Sequence, residues 1–138
     1  MLVARFVDTN VLLYSISTDS AEQTKAAVAD QVLLSGDIVL STQVLGEFYV
    51  QATRAGRPSP LAHEDAVWLI RDFAIHPVQA VTLSIVEAAL ATRARFQLSY
   101  WDAAIIEAAR AAGCREVLSE DMSDGQDYDG VRVVNPFL

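Results

Sequence analysis

An apolar run, Leu2-Val3-Ala4-Arg5-Phe6-Val7, stops abruptly at Asp8-Thr9-Asn10. A run this short and apolar, closed by polar residues, reads as a strand covered on both faces. Its end delivers a carboxylate and two hydrogen-bonding side chains to the place where a helix begins. Open α/β sheets bind their ligands beyond the carboxyl ends of the strands. Asp8 is therefore either a helix cap or the first member of a polar site.

The rest of the chain repeats the alternation. Val11-Leu12-Leu13-Tyr14 reads as a short helix. Asp19 or Ser20 caps a helix over about 21–34, which Gly36 ends. Ile38-Val39-Leu40 is a strand, and Ser41 or Thr42 caps a helix over about 43–53. The segment 54–60 holds two prolines and a glycine and must be a loop. Ser59 and Pro60 then read as cap and first-turn proline of a helix reaching about Ala74, with Leu61, Trp68, Leu69 and Phe73 among its apolar residues. Val78–Val81 is a third strand, and Ser84-Ile85-Val86-Glu87 fits a capping box opening an alanine-rich helix. Ser99 caps a further helix that ends at Gly113. Glu116–Ser119 is a fourth strand, and an acidic turn, Glu120 to Gly130, leads to a last one, Val131–Val134. Strands alternating with helices predict one α/β domain around a parallel sheet with both faces covered.

Composition narrows the function. No stretch reaches the roughly 18 apolar residues of a membrane span, and no basic region precedes the first apolar run, so neither membrane partner nor signal peptide is expected. The single cysteine, Cys114, rules out an internal disulfide and suits the cytoplasm. The net charge is −8, with Lys25 the only lysine. A broad basic surface for duplex nucleic acid is thus excluded. A nuclease is not, because cations in an acidic site can meet the phosphate. The acidic excess also suits a basic protein partner.

Four acids hold telling positions. Asp8 ends the first strand, and Glu47 sits in the early turns of the helix after Leu40. Asp102 lies in the first turn of its helix, and Asp121 follows the fourth strand. In a parallel sheet, strand ends and helix starts share one edge, so all four can converge there. Taken singly, each has a bland reading as cap, turn former or exposed helix residue. At about 5 Å and an effective dielectric near 20, each pair of carboxylates repels by roughly 3 kcal/mol. Convergence therefore calls for protonation or a divalent cation. Oxygen donors alone favour Mg²⁺ or Mn²⁺ over zinc. His63, His76 and Cys114 are too scattered for zinc and place no base beside a nucleophile. There is no GxGxxG and no P-loop. Cys114, Trp68 and Trp101 read as core residues, His63 as a surface helix residue and His76 as a loop residue.

Val7-Asp8-Thr9-Asn10, Val44-Leu45-Gly46-Glu47-Phe48, Tyr100-Trp101-Asp102-Ala103-Ala104-Ile105 and Leu118-Ser119-Glu120-Asp121-Met122 resemble, in this order, the motifs of the PIN-domain nucleases. The resemblance spans essentially the whole chain, and its small size is similar to the VapC toxins of toxin–antitoxin pairs. It implies a three-layer α/β/α sandwich around a parallel sheet, and a Mg²⁺- or Mn²⁺-dependent endoribonuclease. Asp8 and Asp102 would be the most direct metal ligands, Asp121 would complete the set, and Glu47 would ligate directly or through water. Thr9, Asn10 and Ser119 would support them by hydrogen bonds. Asp124 is a further candidate acid in a crowded turn. The resemblance also implies a homodimer and a small antitoxin that inserts a basic side chain into the acidic site.

With no histidine pair in the site, the expected chemistry is in-line attack of water on the phosphodiester, leaving 5′-phosphate and 3′-hydroxyl ends. Arg54, Arg57, Arg93 and Arg95 are candidate substrate contacts, or equally solvated surface residues. A response-regulator receiver needs a late lysine, which Lys25 is not. A haloacid-dehalogenase-like phosphatase needs an aspartate where Asn10 stands. A housekeeping PIN nuclease of RNA processing and a catalytically inactive PIN-fold binding module are the remaining alternatives.

Overall fold

The computed structural model describes residues 4–138. Leu2 and Val3 of the expected first strand lie outside the described residues. Among those described, the order is β1 (Arg5–Val7), α1 (Thr9–Ser15), a 3₁₀ turn (Ser20–Glu22), α2 (Gln23–Leu34), β2 (Ile38–Ser41), α3 (Thr42–Thr53), α4 (His63–Phe73), β3 (Val78–Gln79), α5 (Leu83–Phe96), α6 (Tyr100–Ala111), β4 (Glu116–Leu118), β5 (Asp127–Tyr128) and β6 (Val131–Val134). No described helix is long and apolar enough to cross a membrane.

The strands form one sheet in the order β3-β2-β1-β4-β6-β5. Val7 pairs with Leu118 and Phe6 with Val39, both in parallel register. Right-handed crossovers put the connections from β1 to β2 and β3 on one face, and the return from β3 to β4 on the other. The helix contacts agree: α1 packs on α2 and α3, α3 on α4, and α5 on α6, which crosses the sheet. The result is a three-layer α/β/α sandwich. Phe6, Val7, Leu12, Leu40, Phe48, Ile106 and Leu118 are buried in its core. Because the chain runs outward from β1 and then returns to β4, the seam between these strands is the topological switch point, where such folds bind ligands.

Four expectations are corrected. The sheet is mostly rather than wholly parallel, because β5 runs antiparallel to β6. The acidic turn contains this hairpin, closed by Asp129 and Gly130, both at positive φ (54° and 96°), as a two-residue primed turn requires. Ser59 does not cap α4: it stands at φ 53°, and the Leu61 N–H is held by the Ala52 carbonyl at 2.8 Å. The helix starts only at His63, after Ala62. Thr82, not Ser84, caps α5, its hydroxyl accepting the Ile85 N–H at 3.3 Å. The chain enters the helix two residues earlier than the capping box suggests. Trp68 and Trp101 are 66% and 62% exposed rather than core. Trp68 lies off the buried stripe of Ala66 and Phe73, and Trp101 precedes the buried run that begins at Ala103.

Candidate active site

Asp8 is both the helix cap and the centre of a polar cluster. Its extended backbone (φ −78°, ψ 162°) starts α1, and its Oδ1 accepts the Thr9 N–H at 2.7 Å. Its Oδ2 accepts the Ser119 hydroxyl at 2.7 Å and lies 3.4 Å from the Asn10 amide nitrogen. The Asp8 N–H donates to the Leu118 carbonyl at 3.0 Å, so the ends of β1 and β4 are locked side by side. Burial pushes the Asp8 carboxyl up to about 6. The bonds from Ser119 and Thr9 oppose that rise, and the charges of Glu47 and Asp121 add to it.

The other acids arrive as their elements dictate. Ser41 ends β2 and caps α3 through the Val44 N–H, which sets Glu47 in the second turn. Glu47 Oε2 accepts the Thr9 hydroxyl at 2.8 Å, and its Oε1 accepts the Gln43 amide at 2.8 Å. Ser99 caps α6 by accepting the Asp102 N–H at 3.1 Å, which carries Asp102 to the same edge. Asp102 is half-buried, and its carboxyl is raised by burial, lowered by Ser99, and raised again by the charges of Asp121 and Glu47. Asp121 is exposed; its Oδ2 accepts the Asn10 amide at 3.2 Å and its N–H donates to Ser119 Oγ at 3.2 Å. Asn10 also reaches Ser119 Oγ at 3.2 Å and accepts the Glu120 N–H at 3.2 Å.

All four predicted acids therefore share one sheet edge, where the charges of Glu47 and Asp121 act on both Asp8 and Asp102. They do not crowd together. Among the described residues, no three His, Cys, Asp or Glu side chains stand at spacing for one ion. Thr9, Asn10 and Ser119 lie between the carboxylates and soften their repulsion. Among the described residues, the ion pairs engage Asp37, Glu107, Glu120 and Asp129, and none reaches the four acids. Their donors are carboxylate, hydroxyl and amide oxygens, a set that would suit Mg²⁺ or Mn²⁺ rather than zinc.

The remaining candidates divide. Arg57 lines a cavity of about 200 Å³ together with Asn10, Tyr14, Glu120 and Asp121. Arg54 joins Arg57 in a neighbouring cavity of about 470 Å³ beside Asp19 and Glu22. Arg93 and Arg95 sit in the last turn of α5, a helix that starts at the acidic edge and so ends at the opposite one. There Arg95 pairs with Asp129 of the hairpin turn. Asp124 is engaged away from the cluster, where its Oδ1 accepts the Asn135 N–H at 2.8 Å. His63 pairs with the Tyr49 hydroxyl on an exposed surface, and Cys114 is buried.

Two groups escaped the sequence reading. Gln43 bridges Glu47 and the Trp101 carbonyl (2.8 and 3.2 Å); its spacing four residues before Glu47 is the signal that could have found it. Glu120, between Ser119 and Asp121, is held by Lys25 at 2.6 Å and by the Tyr14 hydroxyl. No local spacing announces that network.

A family profile described as PIN domain matches residues 5–123. A search of curated proteins finds no match. Solved structures share the fold. VapC20 of Mycobacterium tuberculosis, a sarcin–ricin loop cleaving toxin, is 23% identical, with a TM-score of 0.66 over 86% of this chain and 92% of that one. A toxin–antitoxin complex from Klebsiella pneumoniae is 20% identical, with a TM-score of 0.70 over 96% and 98%. FitAcB from Neisseria gonorrhoeae is 18% identical, with a TM-score of 0.65 over 96% and 98%.

Proposed function

The chain belongs to the PIN domain family, and on that premise we propose that it is a Mg²⁺- or Mn²⁺-dependent endoribonuclease, the toxin of a toxin–antitoxin pair. The observation that carries the reading is Asp8: a buried carboxylate at the switch point, close enough to Glu47 and Asp121 to feel their charges, with no ion pair to it among the described residues. The solved structures of the same fold described as toxins or toxin–antitoxin complexes support the cellular role.

Asp8, Glu47, Asp102 and Asp121 would hold the divalent cation. When bound, it supplies Lewis-acid activation of water and neutralises charge on the phosphate. The chain's own groups do the positioning. Ser119 and the Thr9 N–H fix both oxygens of Asp8. Thr9 Oγ1 and Gln43 Nε2 fix both oxygens of Glu47. Asn10 ties Asp121 to the β1–β4 seam while leaving this exposed carboxylate open to an incoming strand. Arg57, beside Asp121 in the same cavity, would meet a neighbouring phosphate, with Arg54 behind it. No imidazole belongs to the cluster, so water rather than the RNA 2′-hydroxyl is the nucleophile. The products carry 5′-phosphate and 3′-hydroxyl ends.

The acidic edge would also receive the partner. An antitoxin bearing an arginine or lysine would replace the cation's charge there and block the strand. A homodimer in the cytoplasm completes the reading. The test is cleavage of cellular RNA with Mg²⁺, with EDTA, and by Asp8→Asn. Activity that survives both EDTA and the substitution overturns the proposal. Sequencing the RNA ends made on induction without the partner identifies the target.

A further inference from the structure

Beside the acidic edge lies an open groove of about 730 Å³ between α3 and α6, lined by Gly46, Glu47, Val50, Gln51, Tyr100 and Trp101 among others. Resting on the endoribonuclease reading, we propose that this groove takes an unpaired nucleobase of the substrate RNA, stacked on Trp101.

Three observations converge on a base. The groove is continuous with the acidic edge, since Glu47 lines both and Trp101 immediately precedes Asp102. Gln43 joins them rigidly, with one amide nitrogen on both Glu47 Oε1 and the Trp101 carbonyl. A strand whose phosphate is held at the acids must send a flanking base to one side, and this groove opens there. Next, Trp101 is a large apolar surface left 62% exposed. Tyr100 packs against it in a T-shaped pair, with ring centroids 5.0 Å apart at 76°, which holds the exposed indole in place. Unpaired bases are recognised in this way, on aromatic faces with amide groups nearby to meet their edges.

The third observation is Gly46. Glycine is a poor choice inside a helix. Here neither the backbone nor the packing asks for it: its φ is not positive, and an added Cβ would meet nothing within 4 Å. What glycine does at this position is leave the groove wall bare.

Replacing Trp68 by Phe leaves Trp101 as the only tryptophan, because the chain has two. That protein, carrying Asp8→Asn as well so that it does not cleave, is titrated in Mg²⁺ with a short, mixed-sequence, single-stranded oligoribonucleotide. Quenching of Trp101 emission is expected, and no quenching by the same sequence as a duplex. By anisotropy of the labelled strand, Trp101→Leu should bind roughly five- to a hundred-fold more weakly, with Trp101→Phe restoring most of the loss. Gly46→Leu should weaken binding similarly while melting no lower than the parent. Unchanged Trp101 emission at saturation, or equal binding by Trp101→Leu, overturns the base site. So does a Trp101→Leu protein that loses only self-association or antitoxin binding, since the groove then covers protein. These results leave the nuclease reading intact if the parent cleaves RNA. Quenching by a parent that never cleaves sinks the nuclease and keeps the base site.

Discussion

The Ser119 hydroxyl donates to Asp8 Oδ2 at 2.7 Å across the seam between β1 and β4. Ser119 Oγ in turn accepts the Asp121 N–H and the Asn10 amide, both at 3.2 Å. One buried hydroxyl thus joins two strand ends, the first turn of α1 and the exposed acid of the site. A seam held by parallel ladder bonds becomes a positioned set of carboxylates through this contact.

Ser119→Ala tests that role. The buried Asp8 oxygen loses its shortest donor, at a cost of about 1–3 kcal/mol. With this lowering bond gone, the Asp8 carboxyl rises further. Activity should fall by roughly 10–100-fold, with partial recovery as Mg²⁺ is increased. A variant with the parent's Mg²⁺ dependence and rate removes Ser119 from the machinery.

Asp8 carries a pH signature. Its folded-state value, about 6, exceeds the ordinary 3.8. The folded protein therefore binds the proton more tightly than the unfolded chain, and this group's contribution to stability is lost as pH rises through that window. About two pH units correspond to roughly 3 kcal/mol. In EDTA, urea midpoints should rise from pH 7 toward pH 5, against the usual direction for carboxylates. Asp8→Asn should flatten that slope and melt higher than the parent at pH 7, while cleaving no RNA. A steeper slope in the variant would show that the trend comes from other groups.

The parts of this arrangement written in local chemistry were legible in the sequence. Asp8, Ser41 and Ser99 are caps, and a cap acts within three residues of itself, so their placement followed from pattern alone. With the caps placed, the parallel alternation carried Glu47, Asp102 and Asp121 to one edge. What failed was decided by distant contacts. Ser59 looks like a cap until the Leu61 amide is claimed by Ala52. The two tryptophans look like core because apolar composition does not say which way a helix face turns. Arg93 and Arg95 lie near Asp102 in sequence, yet α5 runs away from the edge where it starts. The Asp129-Gly130 hairpin, by contrast, has a recognised dipeptide signal that the surrounding run of acids obscured.

Metal binding should appear as stability even without substrate. Asp8 is desolvated and repelled by Glu47 and Asp121, so a cation that binds only the folded site relieves both costs. At a hundred times its dissociation constant, a ligand stabilises by about 2.7 kcal/mol. Mg²⁺ or Mn²⁺ should therefore raise the melting temperature, EDTA should reverse the rise, and Asp8→Asn should abolish it. Zn²⁺ should have no specific advantage, because the cluster offers no histidine or cysteine. A Mg²⁺ shift that persists undiminished in Asp8→Asn places the cation elsewhere.

Glu107 is the contrasting buried acid. Its Oε2 accepts the Thr92 hydroxyl at 2.8 Å and its Oε1 accepts Arg110 Nε at 3.0 Å. Arg110 in turn donates to the Tyr128 and Asp129 carbonyls at 2.7 and 2.8 Å. This network fastens α5 and α6 to the β5–β6 hairpin and contributes nothing to the acidic edge. Glu107→Ala strands the Thr92 hydroxyl and the half-buried Arg110 head, for a loss of about 1–3 kcal/mol, discounted because Arg110 still reaches water. Activity per folded molecule at low temperature should match the parent. Ser119→Ala and Glu107→Ala thus separate two uses of a buried polar contact: one should lose rate more than stability, the other stability alone. A Glu107→Ala protein that stays folded but cleaves slowly would extend the site along α6, beyond the four acids.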